Sequence, residues 1–115
     1  MAEVKLIVLY PYPADVDQFN RDYQEHLKLF QEKVQIPPHV QPYMVTRFVE
    51  TPQGNPVYYQ MFTMTFPSVE ALQQAMNTPA MQEVAGDAVR ISSGGAPVIL
   101  VGVEGAWERC RFGPK

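Results

Sequence analysis

Val4-Lys5-Leu6-Ile7-Val8-Leu9-Tyr10 decides the fold. The run is apolar at both parities, so as a strand it presents a greasy surface on each face, the pattern of a central strand covered from two sides. Pro11 and Pro13 end it, and Asp15 or Asp17 can cap a helix with acidic charge in its first turn. Within Phe19-Asn-Arg-Asp22-Tyr23-Gln-Glu-His26-Leu27-Lys28-Leu29-Phe30 the apolar positions recur with helical spacing. Val16, Phe19, Tyr23, Leu27, Phe30 and Val34 share one arc of roughly 80°, which predicts a helix from about 15 to 34. Pro37-Pro38 forbid its continuation.

Further along, Val40 to Val49 reads as a second strand that Pro42 confines to an edge or a bulge. Thr51-Pro-Gln-Gly54-Asn-Pro56 is a turn, and Val57 to Phe66 forms the other arm of a hairpin. By parity, Tyr58, Gln60, Phe62, Met64 and Phe66 lie on the core face of that arm, with Tyr59, Met61, Thr63 and Thr65 on the other. Val69, Leu72, Ala75 and Met76 make a helical stripe after Pro67-Ser68. A cap and proline at Thr78-Pro79 restart the helix, and Met81, Val84, Ala85, Ala88 and Val89 continue the stripe. Ser92-Ser-Gly94-Gly95 ends it, and Pro97 to Val103 supplies the last strand. The expectation is an α+β domain of order βαββαβ, a four-stranded antiparallel sheet with its helices on one face, over residues 1–105, with 106–115 as a tail. Because the opposite face is apolar too, a second copy of the chain is expected to cover it.

Length and composition agree with one domain: 115 residues, 46% hydrophobic and 18% charged. A net charge of −3 gives no electrostatic reason to bind nucleic acid or an anionic membrane. The opening Met-Ala-Glu-Val-Lys lacks the pattern of a signal peptide, no apolar run reaches membrane-spanning length, and one cysteine makes no internal disulfide. A reducing, cytoplasmic setting is the default expectation.

His26 is the chemically telling residue, at the edge of the apolar arc one turn after Tyr23. Its proton moves near neutrality, so an inward imidazole beside a tyrosine can bind a ligand or shuttle its protons; it can equally be a buried histidine satisfied by a backbone carbonyl. Candidate polar neighbours for it are Tyr58, Asp22 and Asp87, although Asp87 three residues before Arg90 also reads as an ordinary helix-surface pair. His39 reads as a turn residue, and no His-x-x-x-His, Cys-x-x-Cys or acidic cluster suggests a metal. Gly94-Gly95 is a turn rather than a phosphate cradle, and the absence of a Gly-x-Gly-x-x-Gly element removes the usual dinucleotide site while leaving open a flavin or nicotinamide bound in another way; the expectation is no cofactor. Cys110, between Arg109 and Arg111, reads as an incidental thiol, and Trp107 and Phe112 as aromatics able to dock on a partner subunit. Met61, Met64 and Met76 suit core filling or a pocket for an apolar ligand.

From Val4 to Glu104 the chain resembles the EthD-like family, named for ethyl tert-butyl ether degradation, within the dimeric α+β barrel superfamily. Val4 to Tyr10 is similar to its first strand, and Phe19, Tyr23, His26 and Leu29 fall on its helical pattern. Phe66-Pro-Ser68, Thr78-Pro79, Gln82, Asp87 and Ile99-Leu100-Val101-Gly102 follow in order. Asp22, Lys28 and Ile91 depart from that pattern, standing where relatives tend to have Tyr, Pro and Phe. The resemblance implies a ferredoxin-like fold, sheets paired across a homodimer, and a helix-sheet cavity towards which His26 points. It also implies a wide choice of chemistry, since similar barrels include cofactor-independent monooxygenases, a lactone isomerase and haem-degrading enzymes. Two expectations follow. One is an enzyme acting on a small apolar or aromatic metabolite, with His26 as acid or base, Tyr23 orienting it, and Tyr58, Phe62, Phe30, Asp22 and Asp87 at the ligand. The other is a non-catalytic accessory protein that holds such a compound for an oxidative pathway.

Overall fold

The computed structural model describes residues 3–34 and 43–103. His39, Pro42, Trp107, Cys110, Phe112 and the 106–115 tail lie outside those residues. Strand β1 (Val4–Pro11) leads into α1 (Val16–Val34), then β2 (Tyr43–Arg47), β3 (Tyr58–Phe66), α2 (Val69–Met76), α3 (Pro79–Ile91) and β4 (Val98–Val103). Local chemistry sets the boundaries. Asp15 Oδ1 accepts from the Gln18 amide at the start of α1, Ser68 caps α2, and Thr78 caps α3 with Pro79 in its first turn. The second helical region is thus two helices, broken where Thr78-Pro79 restarts the chain.

All strand pairs are antiparallel, in the order β2-β3-β1-β4, so β1 is central as its two-sided apolar pattern requires. Val4, Leu6, Val8 and Tyr10 of β1 are buried beneath the helices together with Phe62 and Phe66 of β3. From above, Phe19, Tyr23, His26 and Phe30 project from α1, and Met81, Val84, Ala88 and Ile91 from α3. Phe30, Phe62 and Tyr43 form one aromatic cluster and Tyr10, Phe19 and Tyr23 another, with ring centroids 5.4–5.6 Å apart. Edge-to-face geometry dominates these contacts, as ring quadrupoles favour.

The parity assignment of β3 needs one correction. Register slips between Tyr10, which pairs with Gln60, and Pro11, which pairs with Tyr58. Tyr59 is the extra residue of this bulge, and it turns inward to pack edge-on against Phe19 at 5.7 Å, while Tyr58 is only half-buried. Strand β2 is also shorter than the apolar run suggests: Val49 is exposed, and the turn at Thr51–Gly54 is closed by reciprocal backbone hydrogen bonds with Gly54 at φ +113°.

The helical cover stops short of β4. On β4, Ile99, Val101 and Val103 pair with Val8, Leu6 and Val4, yet they are 48%, 51% and 52% exposed. On the opposite face Leu100 is also exposed, so β4 is an edge strand apolar on both sides.

Gly94 allows the α3–β4 connection to cross the end of β1, because a Cβ there would overlap the backbone carbonyl of Tyr12, while Gly95 sits at φ +137°. Gly94→Ala is therefore expected to cost about 1–3 kcal/mol, measured by urea denaturation, whereas Gly86→Ala, with open space around it, is expected to cost nothing.

Candidate functional site

The centre of the site follows from the geometry of two packed helices. Every turn of α1 delivers one buried side chain, Phe19, Tyr23, His26 and Phe30, so the imidazole occupies an aromatic place in an apolar row and is only 5% exposed. Across from it, α3 places Asp87 at the seam between the helices, beside the buried Val84 and Ala88. His26 Nδ1 lies 2.8 Å from Asp87 Oδ2, and Arg90 Nε donates to Asp87 Oδ1, also at 2.8 Å. This chain of three groups runs from interior to solvent, since Arg90 is exposed. A second inter-helix pair, Lys33 with Glu83 at 3.5 Å, is half-exposed and adds little.

Protonation states follow from the surroundings. Burial pushes the His26 pKa below the ordinary 6.5; the Asp87 carboxylate opposes that shift without overcoming it, and Arg90 adds to it. Burial alone would raise Asp87, but hydrogen bonds from His26 and Arg90 hold its carboxyl below the usual range. At neutral pH the pair is a neutral imidazole on a carboxylate. The carboxylate only accepts, so the imidazole proton sits on Nδ1 and Nε2 is left as a bare base. A histidine whose tautomer is set by a carboxylate is the arrangement that general-base chemistry uses.

The imidazole lines a cavity of about 50 Å³ between the helices and the sheet. Phe30, Val8 and Phe62 supply aromatic and aliphatic walls, Met76 and Met81 come from α2 and α3, and half-exposed Ile99 of β4 stands at the uncovered side. Tyr10 is the other hydrogen-bonding side chain in the lining. Burial first, and then the charge of Asp87, push its phenol pKa up, so it stays protonated. Asp87 borders instead a polar surface groove with Glu25, Lys28, Glu32 and Arg90. The dyad thereby joins an apolar interior to a wet exterior.

The structure brings His26, Phe30, Phe62 and Asp87 together and leaves other candidates aside. Tyr23 packs tilted against His26 with ring centroids 5.6 Å apart, but its hydroxyl is sealed away beside the Gln60 side chain; the group that orients the imidazole is Asp87. Asp22 accepts from Gln18 Nε2 on its own helix at 2.9 Å, and Tyr58 pairs with Pro11 outside the cavity lining. Sequence reading passed over Tyr10, whose signal was its parity with Leu6 and Val8. Among the described residues no three His, Cys, Asp or Glu side chains gather to hold a metal, and no helix is long and apolar enough to cross a membrane.

A ferredoxin-like α+β domain with a histidine-carboxylate pair beneath its helices is the class that these features define. Residues 12–94 match the EthD domain, and the chain belongs to the EthD family. It is similar to an EthD family protein from Bacillus halodurans C-125 at 33% identity and TM-score 0.74, over 91% of this chain and 100% of that one. A hydroxynitrile lyase from Passiflora edulis shares the fold at 15% identity and TM-score 0.67, over 90% and 94% of the two chains. So does a dimeric ferredoxin-like protein of unknown function from Jannaschia sp. CCS1, at 16% identity and TM-score 0.63, over 88% and 97%. No protein of curated function matches.

The lowered His26 pKa fixes a sign for stability. Below pH 6.5 the unfolded chain binds a proton that the folded chain resists, so stability falls as acidity rises from neutrality, and the lowered Asp87 extends the fall at lower pH. Urea midpoints measured from pH 7.5 to 5 are expected to decline for the wild type. The decline over this range is expected to be clearly smaller in His26→Gln, which removes the imidazole's contribution.

Proposed function

We propose that this EthD-family chain takes a small apolar or aromatic metabolite into the cavity between helices and sheet, where His26 acts as general base and then acid with Asp87 holding its tautomer. The observation that carries the reading is the position of His26: a buried, neutral imidazole whose Nδ1 is committed to a carboxylate and which lines a cavity walled mainly by apolar side chains. A structural histidine satisfied by a backbone carbonyl would need neither the carboxylate nor the cavity. Asp87, at the solvent groove, gives the pair a route by which protons exchange with water. No cofactor enters this reading. Proton transfer alone suffices for a substrate that stabilises its own anion, and such a positioned group accelerates a reaction by about 10²–10⁴.

Size limits the ligand. At about 50 Å³ the cavity is well below the roughly 150 Å³ that admits benzene to a dry protein interior, so a metabolite enters by one end and spreads its remainder past Met76, Met81 and Ile99. The thioethers can shift to admit it. We further infer a cytoplasmic homodimer. The bare apolar flank at Ile99, Val101 and Val103 and the exposed Leu100 on the other face call for cover, and the Jannaschia protein that shares the fold is described as dimeric.

Thermal melts of wild type and His26→Ala against lactones, phenols and quinones test the site. A compound present at 100 times its dissociation constant is expected to stabilise the wild type by about 2.7 kcal/mol and the variant much less. For any compound that is turned over, His26→Ala is expected to lower the rate by about 10²–10⁴. Equal stabilisation and equal rates in both proteins would refute the role. Sedimentation at micromolar concentration is expected to show a species of twice 13.0 kDa, and a 13.0 kDa species alone would refute the dimer.

A further inference from the structure

The polar end of the cavity selects a kind of ligand, an inference that rests on the cavity reading above. His26 and Tyr10 are the two hydrogen-bonding side chains in its lining, and they offer opposite functions. With Nδ1 bound to Asp87, neutral His26 offers an acceptor at Nε2. Tyr10 stays a phenol and offers a donor. Its ring is fixed edge-on to Phe19 and Tyr23, at 5.5 and 5.6 Å, and at the last regular β1–β3 pair, opposite Gln60, just before the bulge. Although Tyr10 is only 1% exposed, its hydroxyl makes no hydrogen bond among the described residues. Nor is it among the fully sealed side-chain polar atoms of the described residues, so the sliver of surface that Tyr10 keeps belongs to that hydroxyl.

Tyr23 and Gln60, next to Tyr10 in the same aromatic cluster and across the same strand pair, are 3% and 1% exposed and lie outside the cavity lining. The Tyr23 hydroxyl meets the Gln60 side chain, whose Oε1 also accepts from Arg47 Nε at 3.2 Å and Nη2 at 2.8 Å, so neither residue addresses a ligand and the Tyr10 hydroxyl is left to do so.

We propose that Tyr10 and His26 together recognise the hydroxyl of a small alcohol or phenol, which accepts from Tyr10 Oη while donating to His26 Nε2. A carbonyl oxygen satisfies Tyr10 but leaves Nε2 unpaired, and a hydrocarbon satisfies neither. The same contacts prepare the hydroxyl for reaction. Transfer of its proton to Nε2 leaves the electron pair on the ligand oxygen, where Tyr10 continues to donate, and yields an imidazolium facing the Asp87 carboxylate.

Three probes of like size separate the possibilities: cyclopentanol, cyclopentanone and methylcyclopentane, with affinities for wild type and Tyr10→Phe measured by NMR titration. Wild type is expected to bind the alcohol several-fold more tightly than the ketone. Tyr10→Phe, which keeps the ring, is expected to weaken the alcohol about tenfold and leave methylcyclopentane within twofold, so the hydrocarbon reports that the variant is folded. Unchanged alcohol affinity in Tyr10→Phe overturns the proposal while the cavity stands. Equal binding of alcohol and ketone by wild type overturns it too, without needing the variant. If wild type binds none of the three, the cavity reading falls and this proposal with it.

Discussion

A single hydrogen bond, from His26 on α1 to Asp87 on α3, reconciles a polar ring with an apolar core. An imidazole buried among Tyr23, Phe30 and the aliphatic side chains of β1 must find a partner, and the helix seam supplies a carboxylate that is itself held by exposed Arg90. The order matters physically. Arg90 offsets the charge of Asp87 from the solvent side, the ionised carboxylate fixes the tautomer of His26, and burial keeps that imidazole neutral. Remove the carboxylate and the ring loses its orientation; remove the burial and it becomes an ordinary surface histidine.

The same helices determine where the cavity lies. They cover β1 and β3 and leave β4 bare, so the space beneath them ends at Ile99 rather than at a wall. One incomplete layer thereby explains both an access route for a ligand and an apolar flank suited to a second copy. Belonging to the EthD family sets the fold, while the direction of the chemistry comes from the side chains that this chain places in it.

Much of the architecture was legible because its signals are local. Alternation in β1, the stripe from Phe19 to Phe30 and the capping pair Thr78-Pro79 each mark an element through interactions within a few residues. The reversal of Tyr58 and Tyr59 was not, since a bulge is a property of two strands in register and leaves parity within either one unchanged. His26 could be singled out from its place on the helix, but its partner could not. Asp87 is 61 residues away, and its spacing to Arg90 reads as a surface pair, which it also is. Tyr10 was hidden for another reason: an aromatic residue at the end of a central strand looks like core, and only the arrangement of α1 and α3 reveals that it lines the same cavity as His26.

The most direct test of the account is the ring nitrogen signature of His26, recorded by ¹⁵N NMR on selectively labelled protein at pH 7. A neutral ring with the proton on Nδ1 and a bare Nε2, lost or redistributed in Asp87→Asn, is the predicted result. An imidazolium at that pH, or a proton on Nε2 with Nδ1 bare, would contradict it, because neither leaves a base available to the cavity.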